Sequence, residues 1–295
     1  MKNKILIMIL LIILVIVFSF VLWDSTNNFL EDDIESDSYV KTNNINAIVT
    51  NIWIDESKFD NLKNHKIKYL FVDVGDTGKD GKLETSNEEI ISFLDSVDSF
   101  EKENNYDFII LPYSEINTYN YDVDEGFENN FINDYLYLDS IGFDGIFVDI
   151  EPVTDRKGYL ELLDKINKDF PSSSIIVVYS GSVGSETDNE WEWDLEFFRE
   201  VSERVNLISV QGYDSDLSNK EEYQDYVKKQ LVELSKISLS SNLMLGVPTH
   251  KDYPETIENS LTIYRETKSD FLGVAIFAEW TMDNEEWKVF DGYVL

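Results

Sequence analysis

Hydrophobic and polar positions divide the chain into three stretches. An apolar run broken only by Ser19 covers residues 5–23, a polar, acidic stretch covers 24–43, and from 44 onward short β-branched runs alternate with amphipathic ones. The β-branched runs predict strands at 47–54, 67–74, 108–112, 143–150, 174–179, 207–211, 243–247 and 271–278. Between them, apolar residues recur at helical spacing. The period is carried by Ile90, Ile91, Phe93, Leu94 and Val97 within 87–103, and by Phe127, Phe131, Tyr135 and Leu138 within 125–141. Leu160, Leu162, Leu163 and Ile166 carry it within 157–170, and 193–205, 220–235 and 254–267 follow the same rule. Ser86 and Glu89 have the spacing of a capping box at a helix start.

Strands alternating with helices in series imply a parallel sheet. Eight parallel strands of this length close into a barrel. The fold expected for residues 44–295 is therefore an α/β (β/α)8 TIM barrel, about 250 residues being the usual size. An open doubly wound sheet usually carries a glycine-rich phosphate turn after its first strand. Here Asp55, Glu56 and Ser57 follow that strand instead.

The apolar run adds a membrane to the picture. Nineteen residues in a helix span about 28 Å, close to a bilayer's hydrocarbon core. Lys2 and Lys4 precede the run, Trp23 ends it, and Asp24, Glu31, Asp32, Asp33, Glu35 and Asp37 follow. By the positive-inside rule this predicts a single-pass signal anchor in the cell membrane (1–23), an acidic tether (24–43) and an extracellular barrel. A cleaved signal peptide fits less well, because Phe18, Phe20 and Leu22 stand where a small-x-small cleavage site belongs.

Charge and composition narrow the chemistry. The net charge is −34, from 58 acidic and 24 basic residues. Such a surface repels nucleic-acid phosphates, so no nucleic-acid partner is expected. It keeps the protein soluble and attracts cationic polymers, such as a partly deacetylated amino sugar. Without cysteine, thiol catalysis and Cys-ligated metals are excluded. His65 and His250 stand too far apart in sequence to suggest zinc, and no phosphate loop or dinucleotide fingerprint appears. The Asp76–Glu84 stretch has some of the spacing of a calcium loop, but Asn87 stands where the bidentate Glu belongs, so a glycine-bearing turn is expected. No cofactor or metal is predicted.

The segment 142–152, Gly-Phe-Asp-Gly-Ile-Phe-Val-Asp-Ile-Glu-Pro, carries the sharpest functional signal. Strand side chains alternate faces. Ile146, Val148 and Ile150 should meet the helices, while Phe147, Asp149 and Glu151 point into the barrel. Active sites of such barrels lie at the C-terminal ends of the strands. Two carboxylates whose backbones are about 7 Å apart cannot both ionise freely, so one pKa should rise. A carboxyl group kept protonated near neutrality is what protonating a glycosidic oxygen requires. Asp73, Tyr113, Tyr179, Glu279 and Trp280 also stand at or just beyond strand ends, as candidate lining of the mouth. Trp191 and Trp193 precede a helix, a position more common for docking residues than for sugar platforms.

Asp144-Gly145-x-x-x-Asp149-x-Glu151 resembles the fourth-strand motif of family 18 glycoside hydrolases, the chitinase-like group. The resemblance implies that Glu151 is the general acid/base and that Asp149 orients the substrate's 2-acetamido group, whose oxygen is the nucleophile. Gln211-Gly212-Tyr213-Asp214 is similar to the family's Met-x-Tyr-Asp, implying that Tyr213 joins the catalytic set and that Gln211 and Asp214 contact the sugar. Leu245-Gly246-Val247-Pro248 is similar to its seventh strand, and Gly273-Val274-Ala275-Ile276-Phe277 to its eighth, where Phe277 takes the place of a platform Trp and Trp280 lies three residues on. Phe147 and Gln211 also depart from the family pattern, as a remote branch would. The function implied is an extracellular, membrane-anchored glycoside hydrolase acting on a polysaccharide or cell-wall glycan that contains amino sugars. The alternatives are a non-catalytic chitinase-like carbohydrate binder, a family 25 lysozyme-like barrel, which also ends a strand in Asp-x-Glu, and an endo-galactosaminidase-type hydrolase.

Overall fold

A computed structural model describes residues 47–53, 58–119, 123–184, 191–239, 241–249, 253–267 and 269–294. These residues belong to one compact unit, Asn44–Leu295. The predicted anchor at 5–23, the tether at 24–43 and His250 lie outside the described residues. Among the described residues, no helix is long and apolar enough to cross a membrane.

Eight parallel strands form the frame: β1 (Ala47–Trp53), β2 (Tyr69–Asp73), β3 (Ile109–Tyr113), β4 (Gly145–Glu151), β5 (Ile175–Ser180), β6 (Leu207–Val210), β7 (Asn242–Pro248) and β8 (Gly273–Phe277). Helices α1 (Phe59–Asn64), α2 (Asn87–Asn104), α3 (Glu125–Ile141), α4 (Arg156–Asp169), α5 (Leu195–Ser202), α6 (Lys220–Ser235), α7 (Ile257–Thr267) and α8 (Asn284–Val294) follow them in turn. The strands pair in the order β3-β2-β1-β8-β7-β6-β5-β4. The ring closes through a feature the hydrophobic pattern did not predict. The chain breaks at Ser114, and Glu115–Asn117 then pairs in parallel with β4, placing Glu115 opposite Asp149 and Asn117 opposite Glu151. One segment thus pairs with β2 through its first half and with β4 through its second.

Asp144 and Gly145 fasten the lower end of this seam. The Asp144 carboxylate accepts the Ile110 N–H at 2.7 Å, the Asp144 N–H donates to the Ile110 carbonyl at 2.9 Å, and the Asp144 carbonyl accepts the Ile175 N–H at 2.8 Å. Gly145 has φ of 149°, and a Cβ there would lie 2.0 Å from the Ile175 carbonyl oxygen. The Asp-Gly pair therefore joins β3, β4 and β5.

Apolar side chains pack in two layers, as strand parity dictates. Ile146, Val148 and Ile150 belong to the large core between strands and helices, while Phe147 sits inside the barrel with Tyr69, Phe71, Leu111, Val177 and Met244. Phe147 stacks on Phe71 with ring centroids 4.1 Å apart.

Helix boundaries differ from the sequence pattern where a cap or a tertiary contact takes over. The Ser86 hydroxyl caps α2 by accepting the Glu89 N–H at 3.3 Å. The stretch expected as a helix from 193 starts at Leu195, because the Asp194 side chain caps Phe197 and Glu192–Trp193 pairs with Ser182–Val183 as a short strand. The short α1 and the C-terminal α8 were not among the predicted helices. They are joined by His65, which bonds Asp291 at 2.8 Å and stacks on Trp287 at 4.1 Å. The stretch after β2 is a turn held by Gly78 N–H to Lys82 O at 2.7 Å and Glu84 N–H to Asp76 O at 2.9 Å.

Replacing Gly145 with alanine places a methyl group against the β5 backbone at a φ that L-residues avoid. Gly145→Ala is expected to cost more than about 2 kcal/mol, read as a lower denaturation midpoint in urea.

Candidate active site

The C-terminal end of β4 carries Asp149 and Glu151. Each is half-buried, and Asp149 Oδ1 is sealed from solvent with no hydrogen-bond partner. Burial pushes the Asp149 carboxyl well above its usual range, and the negative charges of Glu151, Glu115 and Asp73 push it further. Glu151 is raised from an ordinary 4.5 to about 7, first by burial and then by Glu115 and Asp214. The paired carboxyls thus share their protons near neutrality instead of ionising together. A group titrating near 7 is able both to donate and to recover a proton at physiological pH.

Asp73, at the end of β2, completes this acidic wall. It accepts the Gly75 N–H at 2.8 Å, and burial raises its pKa against that bond, with Asp76 and Glu115 adding to the rise. Glu115 is a carboxylate that the strand pattern overlooked. It is exposed and register-paired with Asp149. The alternation Tyr113-x-Glu115-x-Asn117 was its signal in the sequence, interrupted by the break at Ser114.

An aromatic wall faces these acids. Tyr213, buried just beyond β6, stacks on Phe277 of β8 with centroids 5.0 Å apart and planes 12° from parallel. Its phenol hydrogen-bonds Tyr179 of β5, and burial holds both phenols well above their usual range. The close fit depends on Gly246, where a Cβ would lie 2.9 Å from Tyr213 Cε1. Trp280 meets Phe277 edge-on at 6.1 Å. Tyr113 is buried one level down, edge-on to Phe147 at 5.2 Å.

Asp214 adopts a left-handed backbone, φ 54°, which aspartate tolerates better than most residues. The buried Glu255 holds it there, accepting the N–H groups of Asp214 and Ser215 at 2.7 Å each. Nothing in the sequence pattern singled out Glu255. Gln211 is buried at the end of β6, on the same strand parity as Tyr213. Glu279 is placed differently from the other candidates: it is buried, and its carboxylate is taken up by Lys58 Nζ at 2.5 Å. Trp193 is buried against Phe197 at 4.7 Å, the docking role expected of it, while Trp191 is exposed. Among the described residues, no group of three or more His, Cys, Asp or Glu is arranged to hold a metal ion.

A carboxyl with a raised pKa destabilises the fold once it ionises. Between about 4.5 and 7 the folded state holds the Glu151 proton more tightly than the unfolded chain does, so stability falls as pH rises through that window. Glu151→Gln removes this titration. The melting temperature of the parent is expected to fall relative to the variant from pH 4.5 to 7, and parallel melting curves would refute the assignment.

No family model matches the chain, and no curated protein matches it by sequence. Solved structures do match. The spore cortex-lytic enzyme SleL of Bacillus cereus superposes with a TM-score of 0.59 at 11% identity, covering 84% of this chain and 74% of that one. A chitinase from Bacteroides thetaiotaomicron gives 0.57 at 12% identity, over 84% and 95% of the two chains. The tamarind chitinase-like lectin gives 0.54 at 13% identity, over 85% and 99%. The chain has the fold of the chitinases and chitinase-like proteins, at 11–13% sequence identity to these three.

Proposed function

We propose that the protein is a glycoside hydrolase in which Glu151 is the general acid/base and Asp149 orients the substrate. The observation that carries this reading is the pair of buried carboxyls at the end of β4, with Glu151 raised to about 7. At neutral pH a protonated Glu151 donates its proton to the glycosidic oxygen as the C1–O bond breaks. In the substrate-assisted scheme that the motif implies, the substrate's acetamido oxygen bonds to C1 in the same step. Water then attacks C1, gives its proton to the Glu151 carboxylate and releases the acetamido oxygen. Asp149 shares the inward face of β4 with Glu151, the side from which its carboxyl orients the acetamido group in that scheme. Tyr213 and Phe277 offer ring faces to the apolar face of the sugar.

The substrate class follows from the same surroundings. A site walled by Asp73, Glu115, Asp149, Glu151 and Asp214, on a chain of net charge −34, suits a glycan with amino sugars, some carrying free amines. Chitinases and a spore cortex-lytic enzyme on the same fold favour an amino-sugar polymer of a cell wall or the environment. The apolar run at 5–23, with lysines before it and acids after it, supports display of the barrel on the outer face of the cell membrane.

A second reading is glycan binding without turnover. Phe277 in place of a platform tryptophan favours it, as does the tamarind chitinase-like lectin among the structural neighbours. The full-length protein, incubated with chitin oligomers, peptidoglycan and a galactosamine polymer, separates the two. Turnover of at least one is expected, falling about 10²–10⁴-fold in Glu151→Gln with binding retained. Binding without turnover in both proteins would establish the second reading, and turnover that survives the substitution would remove Glu151 from the mechanism. The kcat profile is expected to fall as pH rises past about 7, where the acid loses its proton.

A further inference from the structure

Glu255 lies on the connection from β7 to α7 and is only 6% exposed. One of its carboxylate oxygens, Oε2, accepts the Asp214 N–H at 2.7 Å. The other, Oε1, accepts the Ser215 N–H at 2.7 Å and the Ser215 hydroxyl as well. Three donors from two consecutive residues thus converge on one side chain, 40 and 41 residues away in sequence. Burying a carboxylate costs free energy that an apolar contact would not, so packing alone does not explain the choice of residue. Successive N–H groups face one acceptor where the backbone turns through a left-handed residue, and Asp214 has φ 54°. Asp216, with φ 55°, bounds the same turn on its other side. Such conformations persist where the surrounding structure imposes them.

The turn follows directly on two residues of the site. Tyr213 stands in the aromatic wall against Phe277, and the charge of Asp214 reaches Glu151. On the helix side, Tyr223 of α6 donates to the Gly212 carbonyl at 2.7 Å and Tyr226 to the Gln211 carbonyl at 3.3 Å. Glu255 grips the next stretch by its N–H groups, so the segment 211–215 is held by its carbonyls first and by its amides after. The titratable groups that face Glu151 are Asp149 on its own strand, Glu115 on the extension of β3, Tyr179 of β5, and Tyr213 and Asp214 beyond β6. Asp73 of β2 acts on the same group of acids through Asp149. Of the acids around Glu151, Asp214 is the one whose backbone Glu255 holds.

We propose that Glu255 is a positioning residue of the site: from the β7–α7 connection it fixes the backbone of Asp214 and Ser215, and thereby sets the Asp214 carboxylate against Glu151. This rests on the glycoside hydrolase reading for the use made of Glu151, but not for the placement. A glutamine at position 255 has the same size and one acceptor fewer. Whichever way its amide turns, an N–H group of the side chain meets a backbone N–H, and one backbone donor is left without a partner. The turn then loses its tie, and Asp214 its fixed place beside the acid.

The test uses the full-length protein carrying Glu255→Gln, Asp214→Asn or both, each made with and without Glu151→Gln. The melting temperature of each form is followed against pH relative to its own Glu151→Gln derivative. The pH at which the gap stops changing reports how tightly Glu151 holds its proton, and the measurement needs no turnover. Each single variant is expected to lower that pH by about 0.5–1 unit, and the double variant by no more than either, because both act through the same charge. In Glu255→Gln, kcat at pH 7 then falls about two- to fivefold and returns close to the parent near pH 5, where Glu151 keeps its proton in every form. A merely structural contact would lower kcat alike at both pH values. An unchanged titration in Glu255→Gln, additive shifts in the double variant, or a loss of kcat independent of pH overturns the positioning role. Where Glu255→Gln does not fold, Ser215→Ala decides in its place: it withdraws one of the three donors, a smaller shift in the same direction is expected, and no shift overturns the proposal. The expected shift together with no turnover of chitin oligomers, peptidoglycan or galactosamine polymer by any form sustains the positioning and refutes the hydrolase reading.

Discussion

The segment 109–117 pairs with β2 through one half and with β4 through the other, and the barrel closes only because its chain breaks at Ser114 between the two. That break sets the register of the site. It places Glu115 beside Asp149 and Asn117 beside Glu151, and carries the chain on to Tyr119. The hydroxyls of Thr77 and Ser114 hydrogen-bond at the break, tying it to the turn after β2. At the lower end, the Asp144 carboxylate and the absent side chain of Gly145 hold β3, β4 and β5 together. The Asp-Gly of the β4 motif is thus structural, and the Asp-x-Glu that follows is free to be chemical.

The carboxylates accumulate at a cost the fold has to offset. Asp149, Glu151 and Asp73 are each worse off ionised than in the unfolded chain, and the structure answers by holding protons there instead of supplying cations. Asp149, Glu151 and Asp73 are all raised, and in each case burial is the first cause. Lys58 is engaged with Glu279, away from these acids. A proton held near neutrality is the consequence, and it is also the property that glycosidic bond cleavage needs. Under the proposed function, stability and chemistry oppose each other at Glu151, as is common where ionisable groups are held ready for reaction.

The aromatic residues divide by depth. Phe147 and Phe71 stack below the acids and fill the barrel with a dry floor, which deepens the desolvation of Asp149. Tyr213 and Phe277 form a wall at the level of the acids, made possible by the bare backbone of Gly246. Tyr119 and Trp191 are exposed on connections beyond the strand ends, and Trp280 is half-buried beside Phe277. Acids and aromatic rings thus meet at the C-terminal end of the barrel above an apolar floor.

The alternation of β-branched and amphipathic runs determined the barrel, because each pattern tolerates only one periodic structure and their strict succession forces parallel strands. Parity along 145–151 determined which β4 residues face inward, since side chains two apart on a strand share a face. Tertiary structure decided what depends on residues distant in sequence. Glu115 joins the site through its pairing with β4, Glu255 through a reach of 41 residues to the Asp214 N–H, and Glu279 is drawn into an ion pair with Lys58, 221 residues away. The sequence could mark Asp149 and Glu151 as a pair, but how tightly Glu151 holds its proton depends on burial and on neighbouring charges, and both exist only once the ring has closed.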